Sequence, residues 1–560
     1  MMRQSGLVSH KTVRHRDLAG IAVALFCGGW ICAAAPALPP QTPAPRRASP
    51  AWRPDNGDGT YRNPVLFADY SDPDVVRVGD DFYLVSSSFN AVPAMPVLHS
   101  RDLVNWSLIG HVAAALPSPR YDTPQHGNGV WAPSLRYHAG RFWVFFGDPD
   151  RGIFMTSATT ARGPWEPLTL VREAKGWIDP CPFWDDDGRA YLVHAWAKSR
   201  AGINGVLTVN RMSPDGRTVL DEGTQVFDGR AAHPTIEGPK FYKRNGFYYI
   251  FAPAGGVTHG WQTVLRSRDV FGPYDDRIVL QQGGTSINGP HQGGWVDTPK
   301  GDSWFLHFQD RGAYGRVVHL EPMAWRDDWP VIGVDPDGDG RGEPVLTWKR
   351  PELGGPVNAL APATSDEFAS VALGLQWQWN ANPRAQWASL SARPGFLRLV
   401  AQPLPTDHAN LWLVPSLLFQ KFQGPAFTAT TRIDARALGD GDTAGLLVMG
   451  LDYAYLSVSR SANGLRLTRA TCVQSDKNSP EAEESGLIVP AGPLDLRVTV
   501  DAGASCRFSY SRDGRTFQPI GPSFAARPGL WIGARVGLFA VARPGAPVAG
   551  HADFDWFRME

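Results

Sequence analysis

Residues 71–88, SDPDVVRVGDDFYLVSSS, hold an acid followed by proline, a short apolar run, a Gly/Asp turn and a second run rich in aromatic and β-branched residues. The pattern predicts a β-hairpin entered through a turn. It recurs as WAPSLRYHAGRFWVFFGD at 131–148, IDPCPFWDDDGRAYLVHAW at 178–196, IEGPKFYKRNGFYYIFAPAG at 236–255 and HQGGWVDTPKGDSWFLHFQD at 291–310. Successive starts lie roughly 45 to 60 residues apart, which suits one four-stranded propeller blade with its loops. Polar turns recur too often between residues 60 and 345 for long helices. The expectation is an all-β chain with a five-bladed β-propeller over residues 59–350.

The innermost strand of each blade in a propeller lines the central channel, so equivalent positions of different blades converge on one axis. Asp72, Asp179 and Glu237 each open a unit, and Pro follows each at once or after one Gly. One such acid alone reads as a turn carboxylate. Three at matching positions read as a site where carboxylates face one another across a pocket. Asp185, Asp186 and Asp187, which precede Gly188, are instead turn residues of a hairpin. Opposed carboxyls suit inverting glycoside hydrolysis, in which an acid protonates the leaving oxygen and a base about 6.5 to 9.5 Å away activates water. A third acid beside the proton donor keeps it protonated by like-charge repulsion.

Composition narrows the classes. A chain of 560 residues exceeds one ordinary core, so two domains are expected. The 54 basic and 54 acidic side chains cancel, which argues against nucleic acid or an anionic membrane as partner. The 21 Trp and 14 Tyr supply rings suited to stacking on sugars as well as to filling cores. After Lys11, Arg14 and Arg16 comes LAGIAVALFCGGWICAAAPA, which reads as a secretory signal over 1–37 rather than an anchor, since it ends in small residues. A Pro/Ala-rich linker follows over 38–58. Secretion or a periplasmic location is therefore expected, with no membrane attachment after cleavage. Cys27 and Cys32 leave with the signal; Cys472 and Cys506 are placed to bridge in an oxidising compartment, leaving Cys181 unpaired and buried in a strand. No Cys or His spacing suggests zinc, and no phosphate-cradling Gly pattern precedes a helix, so no organic cofactor is expected.

RNPVLFADYSDPDVVRVGDDFYLVSSSF, GVWAPSLRYHAGRFWVFF, WIDPCPFWDDDGRAYL, IEGPKFY and GRVVHLEPMAW together resemble glycoside hydrolase family 43 over about residues 60 to 350. The resemblance implies a five-bladed propeller that cleaves xylosides and furanosides with inversion. It places the general base at Asp72, the general acid at Glu237, and at Asp179 the carboxylate that orients the acid and raises its pKa. Asp74 shares the strand face of Asp72, but the base of the family is the Asp immediately before Pro, here Asp72 before Pro73. Phe89 and Trp131 resemble the apolar walls of the terminal-sugar subsite, and Arg316 the channel arginine that binds sugar hydroxyls or an acid. His291 resembles the axial histidine that in some members faces calcium or its waters, so calcium is compatible though not required. The run DPDGDGRGE, Asp335 to Glu343, fails as a calcium loop because Leu346 stands where a bidentate Glu is needed. It reads as an acidic surface turn.

A Gly/Pro/Ala connector spans 351–364, and alternating segments from 365 to 560, such as GFLRLVAQ, FTATTRI and PLDLRVTVDA, predict a β-sandwich. It resembles the concanavalin-like domain of the β-xylosidase branch, where a sandwich loop lids the pocket; the lid residue is not identifiable in this sequence. The function expected is an exo-acting glycosidase removing terminal β-D-xylose or α-L-arabinofuranose from oligosaccharide or polysaccharide chains. The rivals are a noncatalytic carbohydrate-binding propeller, an endo-arabinanase of the same family, and a structural propeller. Oligomeric state is left open.

Overall fold

The computed structural model describes residues 52–353, 360–546 and 550–560. The expected signal with Cys27 and Cys32, most of the first linker, and residues 354–359 of the second lie outside the described residues. Five four-stranded antiparallel sheets follow one another along the chain, each in simple sequential order. Their inner strands are Asp74–Val78, Trp131–His138, Trp177–Trp184, Lys240–Arg244 and His291–Asp297. They open blades 1 to 5 of the propeller.

Near-continuous buried runs in the middle strands, as in Arg141–Asp148, Gly152–Ala158 and Ala190–Trp196, bury both faces of the sheets against their neighbours. Val75, Phe82 and Leu98 of blade 1 pack with Val296, Trp304 and Leu306 of blade 5, while Val85 and Val97 of blade 1 pack with Leu135 and Val144 of blade 2. Blades 2 and 3, 3 and 4, and 4 and 5 are joined by separate clusters of the same kind. Tight turns keep the inner hairpins in register: in blade 4, Asn245 and Gly246 both have positive φ, 50° and 73°, as a two-residue type I′ turn requires.

The ring is closed by the chain's own start. Thr60–Arg62 pairs with Thr347–Lys349, the Val65 N–H donates to the Val318 carbonyl at 2.8 Å, and the Tyr61 hydroxyl donates to the Leu320 carbonyl at 2.7 Å. The segment leading to Asp72 is thus clasped onto blade 5.

Residues beyond 377 form two packed eight-stranded sheets, one centred on Arg535–Ala542 and Thr443–Met449, the other on His551–Met559 and Phe427–Asp434. Their shared core admits Phe67, Ala313, Tyr314 and Val317 from the propeller. Backbone bonds cross the same interface from Asn382 to Tyr121, Gly424 to Phe67 and Ala534 to Ala313, each 2.7 Å. The sandwich is therefore built onto the propeller loops that follow Phe67, Leu116 and Asp310.

The expected bridge between Cys472 and Cys506 does not form. Both are free and buried, Cys506 in the core between the sheets and Cys472 in a separate cluster with Leu411, Trp412 and Tyr453. Cys181 is also free and fully buried in the inner strand of blade 3. Among the described residues no helix is long and apolar enough to cross a membrane.

Candidate active site

The inner strand of every blade is entered through the same backbone kink. Asp72, Ala132, Asp179, Gly238 and Gln292 stand at this entry in blades 1 to 5, and all have positive φ, 52°, 36°, 55°, 58° and 34°. Four of the five precede proline. Register shifts accompany the kink in blades 2, 3 and 5, as β-bulges that re-aim side chains toward a site do. A non-glycine residue held in this region costs on the order of 1–3 kcal/mol, so the surrounding fold must impose it.

Asp72 and Asp179 are equivalent by this register, but Glu237 is not their equivalent. It lies one residue earlier, at the position taken by Trp131 in blade 2 and His291 in blade 5. Two adjacent positions of the repeat therefore furnish the site.

Asp72 is 4% exposed. Its Oδ1 accepts from Arg316 Nη1 at 3.0 Å and its Oδ2 from the Ser87 hydroxyl at 2.5 Å. Ser87 Oγ in turn accepts from the Ala132 N–H at 2.8 Å, tying the carboxylate to the entry of blade 2. Arg316 is held by its backbone N–H on Asp69 Oδ1 at 3.0 Å, and its guanidinium lies 4.8 Å from the Phe308 ring centre. Of the two acts that resemblance allows Arg316, this structure displays the contact with an acid.

Asp179, 2% exposed, accepts from the Gly238 N–H at 2.8 Å and faces Gln292 Nε2 at 3.5 Å. Burial first, then the neighbouring charges of Glu237 and Asp72, push its carboxyl well above the usual carboxylate range, against the Gly238 N–H, which favours the anion. Gly238 suits this place twice over: its φ is 58°, and a Cβ there would sit 2.6 Å from Gln292 Cγ. Glu237 is more open, with its side chain 32% exposed and its Oε1 3.1 Å from His291 Nε2.

His291 is fully buried, and its Nδ1 has no partner among the described residues. Its Nε2 meets Glu237 and its ring lies 5.5 Å from that of Phe308. Asp335, Asp337 and Asp339 have carboxylate oxygens within 4.8 Å of one another. Asp335 is engaged by Arg326 and by the N–H groups of Gly338 and Gly340, which makes the run a turn fastened by its own side chains.

Asp74 does different work from Asp72. It is fully buried and receives Leu135 N–H at 2.8 Å and Arg136 Nη1 at 2.7 Å, farther down the channel. Phe89, also at positive φ, is 3% exposed and pairs its backbone with Val130. Trp131 is half-buried and donates from Nε1 to the Gly127 carbonyl at 2.9 Å.

A residue from the sandwich completes the rim. The Trp531 ring lies 6.3 Å from that of Trp131 at 68°, and the Arg316 guanidinium stands 5.9 Å from its centre. Arg200 approaches Trp131 from another side at 5.6 Å while donating to Asn128 and Asp150. Trp531 remains 53% exposed, so a large apolar ring borders the carboxylates with much of its surface free. Sequence reasoning missed Trp531, Ser87 and Gln292; the register position shared by Gln292, Asp72 and Asp179 was the signal available for the last.

Residues 61–330 match the family described as glycosyl hydrolases family 43, and residues 365–560 match the β-xylosidase C-terminal concanavalin A-like domain. A protein of Xylanibacter ruminicola whose name assigns it provisionally to the β-xylosidases is 44% identical over 486 residues, 86% of each chain. The chain belongs to glycoside hydrolase family 43. It is a glycosidase, and its substrate is an oligosaccharide or polysaccharide. The non-reducing end α-L-arabinofuranosidase BoGH43B of Bacteroides ovatus is 29% identical over 532 residues, 89% of this chain and 94% of that protein. The crystal structure of the family 43 protein BlXynB from Bacillus licheniformis superposes with a TM-score of 0.76 at 26% identity, covering 89% of this chain and 99% of that one.

Proposed function

We propose that this family 43 glycosidase removes single β-D-xylose or α-L-arabinofuranose units from non-reducing ends, with inversion. The observation that carries the reading is Trp531, a sandwich residue standing beside Trp131 and Arg316 at the rim of the carboxylate site. A propeller cleft open at both sides admits the middle of a polymer; a rim closed by a second domain favours chain ends. The names of the relatives, one provisionally a β-xylosidase and one a non-reducing end α-L-arabinofuranosidase, support the same sugars.

In this reading Glu237, the most exposed of the three acids, protonates the leaving oxygen. Its contact with His291 Nε2 fixes the carboxyl from behind. Asp72 takes the proton of the attacking water, held in orientation by Arg316 and Ser87. Asp179 holds the Gly238 N–H, and so the backbone beside Glu237. No cofactor enters the reaction. The apolar segment before residue 37 supports export to the periplasm or beyond.

Release of product from aryl β-D-xylopyranoside and aryl α-L-arabinofuranoside, with Glu237→Gln as control, tests the reading. Turnover that the variant abolishes is the expected result. Release of internal fragments from xylan or arabinan without terminal monosaccharide would overturn it in favour of endo cleavage, and turnover undiminished in Glu237→Gln would remove that residue as the acid.

A further inference from the structure

The inner strands carry the catalytic residues at their N-terminal ends, and a second opening lies at the other end of the channel. Three consecutive residues from each inner strand, from Val75–Arg77 in blade 1 round to Trp295–Asp297 in blade 5, line a cavity of about 380 Å³. A polar belt crosses the channel between the two ends. Arg136 bonds Asp74 at 2.7 Å and approaches Cys181 Sγ at 2.8 Å, while Lys240 Nζ donates to Ser134 Oγ at 2.9 Å. At roughly 3.3 Å of rise per residue, Arg77 stands about 10 Å along its strand from Asp74, which itself lies beyond the kink at Asp72. The lower cavity is therefore separate from the catalytic pocket.

Its wall is aromatic and half-exposed. His138 stacks on Trp184 with ring centres 4.6 Å apart and an interplanar angle of 6°, and Tyr242 meets Trp295 edge-on at 5.1 Å. The charged side chains are already engaged. Arg136 is paired with Asp74, and Lys243 with Asp185 and Asp186. Asp297 accepts from Trp295 Nε1 and Ser303, and Arg77 donates to two backbone carbonyls. An ionic ligand would have to break these pairs. The Tyr242 hydroxyl, which accepts from the Trp295 N–H at 3.0 Å, still has its own proton to donate. Flat rings beside a spare hydroxyl proton match a sugar, whose ring faces are apolar and whose edge carries hydroxyls. The volume falls within the range of about 300–1,000 Å³ typical of small-molecule sites.

We propose that this lower mouth is a second, noncatalytic binding site for a short neutral pentose oligosaccharide. It rests on the glycosidase reading above, since it would hold the class of chain that the opposite face cleaves.

The test uses the full-length Glu237→Gln protein, titrated calorimetrically to millimolar concentrations of xylotetraose and, in parallel, of arabinotetraose. Two sites are expected with one of these probes. Trp184→Ala in the same background should weaken one site at least tenfold and leave the other within twofold. Tyr242→Phe, which keeps the ring, should weaken the same site by a smaller factor. With Glu237 intact, Trp184→Ala should leave hydrolysis of the aryl glycoside within twofold. A single site for both probes, in a protein whose Glu237-intact form hydrolyses the aryl glycoside, overturns the second site and spares the function. So do two sites that neither Trp184→Ala nor Tyr242→Phe alters. Absence of aryl glycoside and tetraose hydrolysis by the Glu237-intact protein would instead overturn the glycosidase reading, and this proposal with it.

Discussion

Ser87→Ala removes a single hydroxyl that joins the proposed base to the neighbouring blade. Oγ donates to Asp72 Oδ2 at 2.5 Å and accepts from the Ala132 N–H at 2.8 Å, with all three residues buried. A hydrogen bond to a charged group contributes about 1.5–3 kcal/mol, or roughly 10- to 150-fold in rate if it is fully expressed in the transition state. Arg316 still holds the other carboxylate oxygen at 3.0 Å, so Asp72 is loosened rather than released. We expect kcat on the aryl glycoside to fall by about 10- to 100-fold with KM nearly unchanged, because the base acts on water and not on the sugar. The orphaned Ala132 N–H should separately cost about 1–3 kcal/mol of stability. Steady-state kinetics beside urea unfolding separate the two effects. An unchanged kcat with lowered stability would reduce Ser87 to a structural part. A rise in KM alone would mean that the hydroxyl meets the sugar instead. Because Ser87 and Arg316 share one carboxylate, Ser87→Ala and Arg316→Lys should combine non-additively.

Asp179→Asn should stabilise the protein while impairing catalysis. Burial and neighbouring charges raise the folded pKa of Asp179, so its ionisation weighs against the folded state above the unfolded value of about 3.9 and does not do so below it. Tm should therefore rise at pH 7, with the gain fading as pH falls toward 4; an equal gain at every pH would refute the electrostatic cause. An amide accepts the Gly238 N–H more weakly than a carboxylate, so kcat should also fall, and an unchanged kcat would count against the orienting role. Gly238→Ala places a Cβ 2.6 Å from Gln292 Cγ at a φ of 58° and displaces the N–H that Asp179 holds; kcat should fall by about 100-fold or more, on the scale of losing one preorganised donor, with the far-ultraviolet spectrum retained. Trp531→Ala should raise KM for short substrates several-fold and allow internal cleavage of longer chains, seen in the product profile. Because the ring is 53% exposed, Tm should move little.

The propeller was legible because its units repeat in the sequence: an entry marked by Pro in four cases of five, an apolar strand, a polar turn and an aromatic strand express the physics of one hairpin five times over. The acids were legible because Asp-Pro and Glu-Gly-Pro mark those entries. The one-residue offset of Glu237 was present in Glu-Gly-Pro against Asp-Pro, but its meaning for register follows only from the positive φ that Asp72, Asp179 and Gly238 share. Ser87 stands in a run of three serines with nothing to distinguish it by residue type. Trp531 reaches the rim through packing between domains, and no local pattern announces such a contact. The expected disulfide failed for a similar reason: compartment and count favour pairing, but strand assignment put Cys506 between the sheets and Cys472 in another cluster.

The seam of the ring gives the enzyme a property unrelated to its chemistry. Asp72 follows the segment that clasps blade 5, and its partner Arg316 belongs to that last blade, while Trp531 arrives with the second domain. During synthesis the chain holds no finished catalytic centre until its last blade is made, and no finished rim until nearly its final residues have emerged. Loosening of the seam should likewise abolish turnover while four blades still stand. Activity in this molecule is thus a report on completeness, and a partly synthesised chain is silent toward its substrate.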